Sequence, residues 1–96
     1  MRRARAFDAA KYRDNPRAIA KYLNDALSTG DPVQLTKAIG DMVRAQGVAR
    51  VSQKSGIERT SLYRAFRGKA NPTIGTILNV LIGLDIQLMA KPSAGF

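Results

Sequence analysis

The sequence predicts an all-α domain of five helices closed by a short C-terminal β-strand. Three observations predict it: apolar residues recur at spacings of three and four, turn formers paired with helix starters divide those stretches, and the period changes to alternation over residues 86–90. The helical domain is expected over residues 7–90, between a flexible basic tail at 1–6 and a C-terminal tail at 91–96.

Each element has its own signal. Asn15 followed by Pro16 reads as an N-cap and first helical residue, after which Ile19, Tyr22, Leu23, Ala26 and Leu27 share one face. Gly30 stops that helix, and Asp31 with Pro32 starts the next, whose stripe is Leu35, Ile39, Met42 and Val43 and whose end lies near Gly47. From Val48 the elements shorten to about eight residues ending at Ser55, then, past Gly56 and Ile57, about ten from Glu58 to Arg67. Asn71, Pro72 and Thr73 punctuate again, with Thr73 as N-cap, and Ile74, Ile77, Leu78 and Leu81 are expected on the buried side of a fifth helix. Beyond Gly83, Ile86, Leu88 and Ala90 alternate with Gln87 and Met89, the pattern of a strand.

Composition narrows the function. The 96 residues include 16 Lys and Arg against 7 Asp and Glu, a net charge of +9, with 45% hydrophobic residues and neither cysteine nor histidine. Such a chain is apolar enough to fold, and its charge calls for an anionic partner. Without Cys or His there is no disulfide, no zinc site of the usual kind, no thiol nucleophile and no imidazole base, so an enzyme is not expected and no cofactor or metal is assigned. The acids form no close pair in a plausible cleft, and the serines lack a histidine to activate them. The cationic start gives way to Asp8, Lys11, Arg13 and Asp14 where a signal peptide needs an apolar run. The most apolar stretch, 74–90, is interrupted by Asn79, Asp85 and Gln87 and is too short for the ~20 residues that span a bilayer. A cytoplasmic protein without a membrane partner is expected.

Residues 48–68 meet the demands of a helix-turn-helix. Gly56 is the pivot, because a tight turn between steeply crossed helices needs positive φ. Ile57 plugs the gap between the helices, Ser52 is small where they approach, and Val51, Leu62 and Ala65 point inward. Arg59, Thr60, Ser61, Arg64 and Arg67 are left for the outside. From Arg44 to Lys69 seven cations stand against Glu58 alone, placing two-thirds of the excess charge in about a quarter of the chain. A solvated charged face is the alternative; coincidence with the glycine pivot and the small-apolar pattern favours DNA.

These residues carry a resemblance. Val33 to Leu84 resembles the lambda-repressor-like (Xre) helix-turn-helix domain of Cro/C1 type, and the chain is similar throughout to addiction-module antidote proteins. The similarity lies in Phe7-Asp8-Ala9-Ala10-Lys11-Tyr12, in Ile19-Ala20-Lys21-Tyr22-Leu23-Asn24-Asp25-Ala26-Leu27 with Gly30-Asp31-Pro32, and in the pivot Ser55-Gly56-Ile57. It continues through Thr60-Ser61-Leu62-Tyr63-Arg64-Ala65-Phe66 to Gly68, Asn71-Pro72-Thr73, Thr76-Ile77 and Leu84. The helix-turn-helix part is shared by a very large class and says only that DNA is bound, whereas the N-terminal phrase is specific. The resemblance implies an antitoxin that represses its own operon and neutralises a small basic toxin of the RelE/ParE type, often a ribosome-dependent ribonuclease.

The expected mechanism is a homodimer on a near-palindromic operator, with half-sites ~34 Å apart. Arg59, Thr60, Arg64 and Glu58 are the candidate base contacts; Arg44, Arg50, Gln53, Lys54, Ser61, Arg67 and Lys69 are the candidate phosphate contacts. Glu58 departs from the family, which commonly has Ser there: it suits the helix dipole and repels phosphate, so it either accepts from cytosine N4 or weakens binding. Arg50 stands where related domains usually anchor a phosphate through an amide, a role Gln53 shares. Residues 1–30 carry a net +4, poor complementarity for a basic toxin, so a toxin contact would rest on local acids or on an apolar patch such as Phe7, Tyr12 and Tyr22. The alternative is that these aromatics pack the first helix onto the core. Tyr63 and Phe66 are expected in the core. Ile86 and Leu88, on a short strand with an open edge, either pair with a symmetry mate or pack back onto the first helix. Two other readings stay open: a toxin-neutralising protein with weak or vestigial DNA binding, and a plain regulator with no toxin.

Overall fold

A proline in the first turn with a capping side chain just before it starts each of the two longest helices. In the computed structural model, which describes residues 8–67 and 70–93, Asn15 Oδ1 accepts from the Ala18 amide ahead of Pro16–Leu27, and Asp31 Oδ1 accepts from the Val33 amide ahead of Pro32–Gln46. A short turn of helix precedes them, so the order is α1 (Ala9–Tyr12), α2 (Pro16–Leu27), α3 (Pro32–Gln46), α4 (Val48–Ser55), α5 (Arg59–Ala65) and α6 (Ile74–Gly83). Thr73 caps α6 by accepting from the Thr76 amide.

The count is six described helices, against five expected. The extra one, α1, is four residues long and buries none of them, too short for any periodicity to reveal. It is held from outside: Gln46 Nε2 donates to the Tyr12 carbonyl at 2.8 Å, and Arg13 Nε donates to the Ala45 carbonyl at 3.3 Å, which docks α1 on the end of α3.

The core is built around α3. Ile39, Met42 and Ala45 are fully buried and meet Ile19 and Leu23 of α2, Val51 of α4, Leu62 and Phe66 at α5, and Val80, Leu81 and Leu84 at α6. No helix among the described residues is long and apolar enough to cross a membrane. Gly40 marks the closest approach: a Cβ there would overlap the Phe66 carbonyl oxygen, so α3 meets the end of α5 backbone to backbone.

Two expectations are corrected. No strand forms among the described residues; instead Asp85 adopts φ 62° and the Ile86 amide donates to the Leu81 carbonyl at 2.8 Å, folding Ile86 back against the core. A strand needs a neighbour to complete its ladder, and an all-helical domain offers none, so alternation over residues 86–90 has nothing to pair with. The Ile86 and Leu88 dimer contact thus loses the strand it was to rest on, and of the two only Leu88 is exposed. The buried side of α6 is also different. Ile77 and Leu81 face inward as expected, whereas Ile74 is 64% exposed and Leu78 42%, because α6 packs on α4 through Val80, Leu81 and Gly83.

A polar triad joins α2 to α3. The Tyr22 hydroxyl donates to Asp41 Oδ2 at 2.6 Å, and Arg44 Nη2 donates to Asp41 Oδ1 at 2.7 Å. Burial first, then the bond to the Asp41 carboxylate, raises the Tyr22 pKa well above the ordinary 10.0 of a phenol. A group whose proton is held more tightly in the folded state contributes stability in full below its unfolded pKa and loses it as pH rises towards the folded one. Stability is therefore expected to fall above pH ~10, and Tyr22→Phe to remove this part of the slope while costing about 1 kcal/mol at neutral pH. Urea unfolding of both proteins from pH 8 to 11 checks it, and parallel slopes would refute it.

Candidate nucleic-acid interface

Helices α4 and α5 meet at a tight turn in which Gly56 takes the left-handed conformation, φ 77°, and its amide closes α4 on the Ser52 carbonyl. Ser52 Oγ donates across the turn to the Ile57 carbonyl, and the Ile57 amide donates to Ser55 Oγ. Val51 is fully buried, Leu62 nearly so, and Ile57 and Ala65 pack half-buried against the core. Each of these placements follows the sequence reading of the turn.

With Leu62 and Phe66 turned inward, the rest of α5 is fixed by helical geometry. Arg59, Thr60, Tyr63, Arg64 and Arg67 are all exposed and fall at intervals of one, three and four, forming one continuous outward face. Tyr63 is the correction here: expected in the core, it is 56% exposed, midway along the cationic face. The two aromatics differ because Phe66 lies four residues after Leu62, on the same face, whereas Tyr63, the next residue after Leu62, is turned away from it. Helical-wheel placement relative to Leu62 carried that signal; aromatic content alone hid it.

Arg59, Arg64 and Arg67 make no ion pair with any described residue. The cations around them do. Arg44 is held by Asp41, Arg50 by Asp14, and Lys54 Nζ by Asp85 Oδ2 at 2.7 Å. Asp14 and Asp85 both have positive φ, 54° and 62°, so two loops from opposite ends of the chain turn sharply to present a carboxylate to α4. Gln53 is exposed on α4 and Ser61 half-buried at the flank of α5. Glu58 occupies the N-cap of α5, exposed, and its side chain makes no capping bond. Lys69 and Phe7 lie outside the described residues. Tyr12 and Tyr22 meet edge to face at 5.2 Å between ring centres and pack half-buried against the core, the arrangement of the packing alternative rather than of an exposed patch.

Two hollows flank α5. One, of about 200 Å³, has Val43, Leu62 and Phe66 for a floor and Arg44, Tyr63 and Arg67 at its rim. The other runs between Ser61 and Arg64 of α5 and the lead-in to α6 at Asn71 and Thr76. Arginines thus rise on both sides of a single projecting ridge, a shape suited to entering a groove in an anionic partner.

Fold and face together define a small all-helical domain that offers a short, cation-bearing helix to solvent. The chain belongs to the family described as probable addiction module antidote protein, whose model matches residues 3–92. It is also 32% identical over 87 residues to an uncharacterized protein of Haemophilus influenzae, an alignment that covers 91% of this chain and 90% of that one. No solved structure matches it.

Proposed function

We propose that the chain is an antitoxin that also represses transcription of its own toxin–antitoxin operon, binding a near-palindromic operator as a homodimer through α5. The observation that carries the DNA-binding half is the outward face of Arg59, Thr60, Tyr63, Arg64 and Arg67, three of whose five residues are arginines with no carboxylate partner among the described residues. A helix of this kind fits the ~12 Å wide major groove, where arginine bonds guanine O6 and N7 in pairs and a tyrosine ring meets a thymine methyl group. Gln53, Ser61 and Lys69 remain the surrounding phosphate contacts, whereas Arg44, Arg50 and Lys54, expected in the same role, are held by Asp41, Asp14 and Asp85 and contribute less. Family membership supports the other half, since an antidote has a toxin as its partner, and a RelE/ParE-like toxin is the proposed one.

The reading is tested by fluorescence anisotropy of the protein against a duplex from its own promoter and a shuffled control, at two salt concentrations. Preference for the promoter by a factor of about a thousand or more is expected, the lower end of the ~10³–10⁷ range of specific recognition. Equal, salt-sensitive binding to both duplexes would overturn it. One observation favours a second reading, toxin neutralisation with weak DNA binding: Arg44, Arg50 and Lys54 are already neutralised by carboxylates, and Glu58 repels phosphate at the tip of α5. That outcome would show as binding to neither duplex together with co-purification of a small basic protein encoded beside this one.

A further inference from the structure

Helix α6 carries two neighbouring apolar strips, with Thr76 and Asn79 on the side left over. Its inner side is full: Val80 and Leu81 are buried, and a Cβ at Gly83 would already lie 3.1 Å from Val51 and Ser55 of α4. Its outer side carries Ile74, Leu78 and Ile82, 64%, 42% and 62% exposed, four residues apart in one line. Aliphatic side chains in so exposed a line ordinarily mark an interaction site, and none of the described residues covers this one.

We infer that this line is the contact with a second copy of the chain, docked antiparallel about a two-fold axis through Leu78. The inference rests on the operator-binding reading for its consequence, and on three features of α6 for its substance. First, the line is symmetric about Leu78, with an isoleucine four residues to either side. A two-fold axis there sets Ile74 against the partner's Ile82 and Leu78 against its own counterpart, the self-complementarity an isologous contact requires. Second, the chain has a net charge of +9, so copies repel wherever their cations meet; α6 has no charged residue from Ile74 to Gly83 and gives the pair an uncharged seam. Third, the first turn of α6 borders the same hollow as Arg64 of α5, so an axis on α6 sets the two copies of α5 side by side about it. A palindromic operator presents its half-sites in that way.

The size of the seam sets its strength. At these exposures three aliphatic side chains leave on the order of 300 Å² of apolar surface, enough to mark an interaction site but well short of the ~800 Å² per partner of a standard stable interface. The free dimer is therefore weak, and a palindromic duplex completes it.

A chain without cysteine allows a direct test. Leu78→Cys places one thiol on the axis and Val33→Cys places one at an exposed site on α3, 51% accessible, away from it. Under oxidised glutathione, at tens of micromolar protein, Leu78→Cys is expected to form covalent dimer at least tenfold faster than Val33→Cys, and faster still on the promoter duplex. A mixture of Ile74→Cys and Ile82→Cys chains, each outward-facing on a folded helix, is expected to give the crossed heterodimer, which keeps the test open should the Leu78 variant fold poorly by circular dichroism. Equal rates for Leu78→Cys and Val33→Cys, with and without duplex, and no crossed product would overturn the inference even if the promoter is bound selectively. Selective cross-linking with no preference for the promoter would uphold the dimer and sink the operator reading instead. Protection of the Leu78 thiol by a co-expressed toxin, in place of cross-linking, would assign the seam to that partner and also overturn the inference.

Discussion

Arg59→Ala and Arg64→Ala are each expected to lower affinity for the promoter duplex by about ten- to a hundredfold, the ~1–3 kcal/mol of a paired arginine–guanine contact. Both side chains stand free of any carboxylate among the described residues, so truncation removes a donor without releasing another group. The same substitutions should reduce affinity for a shuffled duplex far less, and the ratio between the two duplexes is the readout. Lys54→Ala is the internal comparison. Its ammonium is bound to Asp85 at 2.7 Å, and a phosphate must displace that carboxylate before it gains anything. Its loss should therefore cost little on either duplex. If all three variants weakened both duplexes by the same factor, α5 would be a mere charged surface and base recognition would have to be abandoned.

The largest effect on folding is expected at Gly40. Within α3, replacing glycine by alanine would ordinarily stabilise the helix by about 1 kcal/mol. Here the added methyl would overlap the Phe66 carbonyl, and backbone cannot rotate out of the way as a side chain can. Overpacking of this kind costs ~1–3 kcal/mol and occasionally more. The contact is expected to win, with a net loss of about 2 kcal/mol and, for a domain of this size, a fall in Tm of about 10 °C. Thermal unfolding followed by circular dichroism decides the sign; a Tm equal to or above wild type would mean that α3 and α5 do not approach this closely.

Much of this architecture was legible before any coordinates. Asn15, Asp31 and Thr73 cap where capping chemistry says they should, and Gly56 turns left-handed where two short helices need it. These features depend on residues within a few positions of one another. What the sequence concealed depends on partners far along the chain. The four residues of α1 are helical because Gln46 and Ala45 receive them, a pairing 32 to 34 residues distant. For α6, periodicity found one apolar side, Ile74, Ile77, Leu78 and Leu81, and packing against Val51 of α4 buries Leu81 while leaving Ile74 and Leu78 exposed. The face of α5 was read almost entirely, since Leu62 fixes its rotation; Tyr63 escaped because an aromatic was assumed to be core. The pairing of Arg50 with Asp14 and of Lys54 with Asp85 could not be read at all, since it depends on two loops that turn through positive φ.

On the operator-binding reading, those two aspartates bear on how a strongly basic protein would find one site among many. They act as counterions that the fold itself supplies. A cation already matched in this way sheds no bound salt on meeting a phosphate and gains little from an arbitrary stretch of duplex. With Arg50 and Lys54 so occupied, a chain with 16 Lys and Arg would, on the operator-binding reading, show DNA fewer available cations than that count suggests, which holds down indiscriminate attraction to random sequence. Arg59 and Arg64 of α5 and Arg67 just beyond it are among the arginines left without a carboxylate among the described residues, and they are the ones the proposed reading sets against the bases.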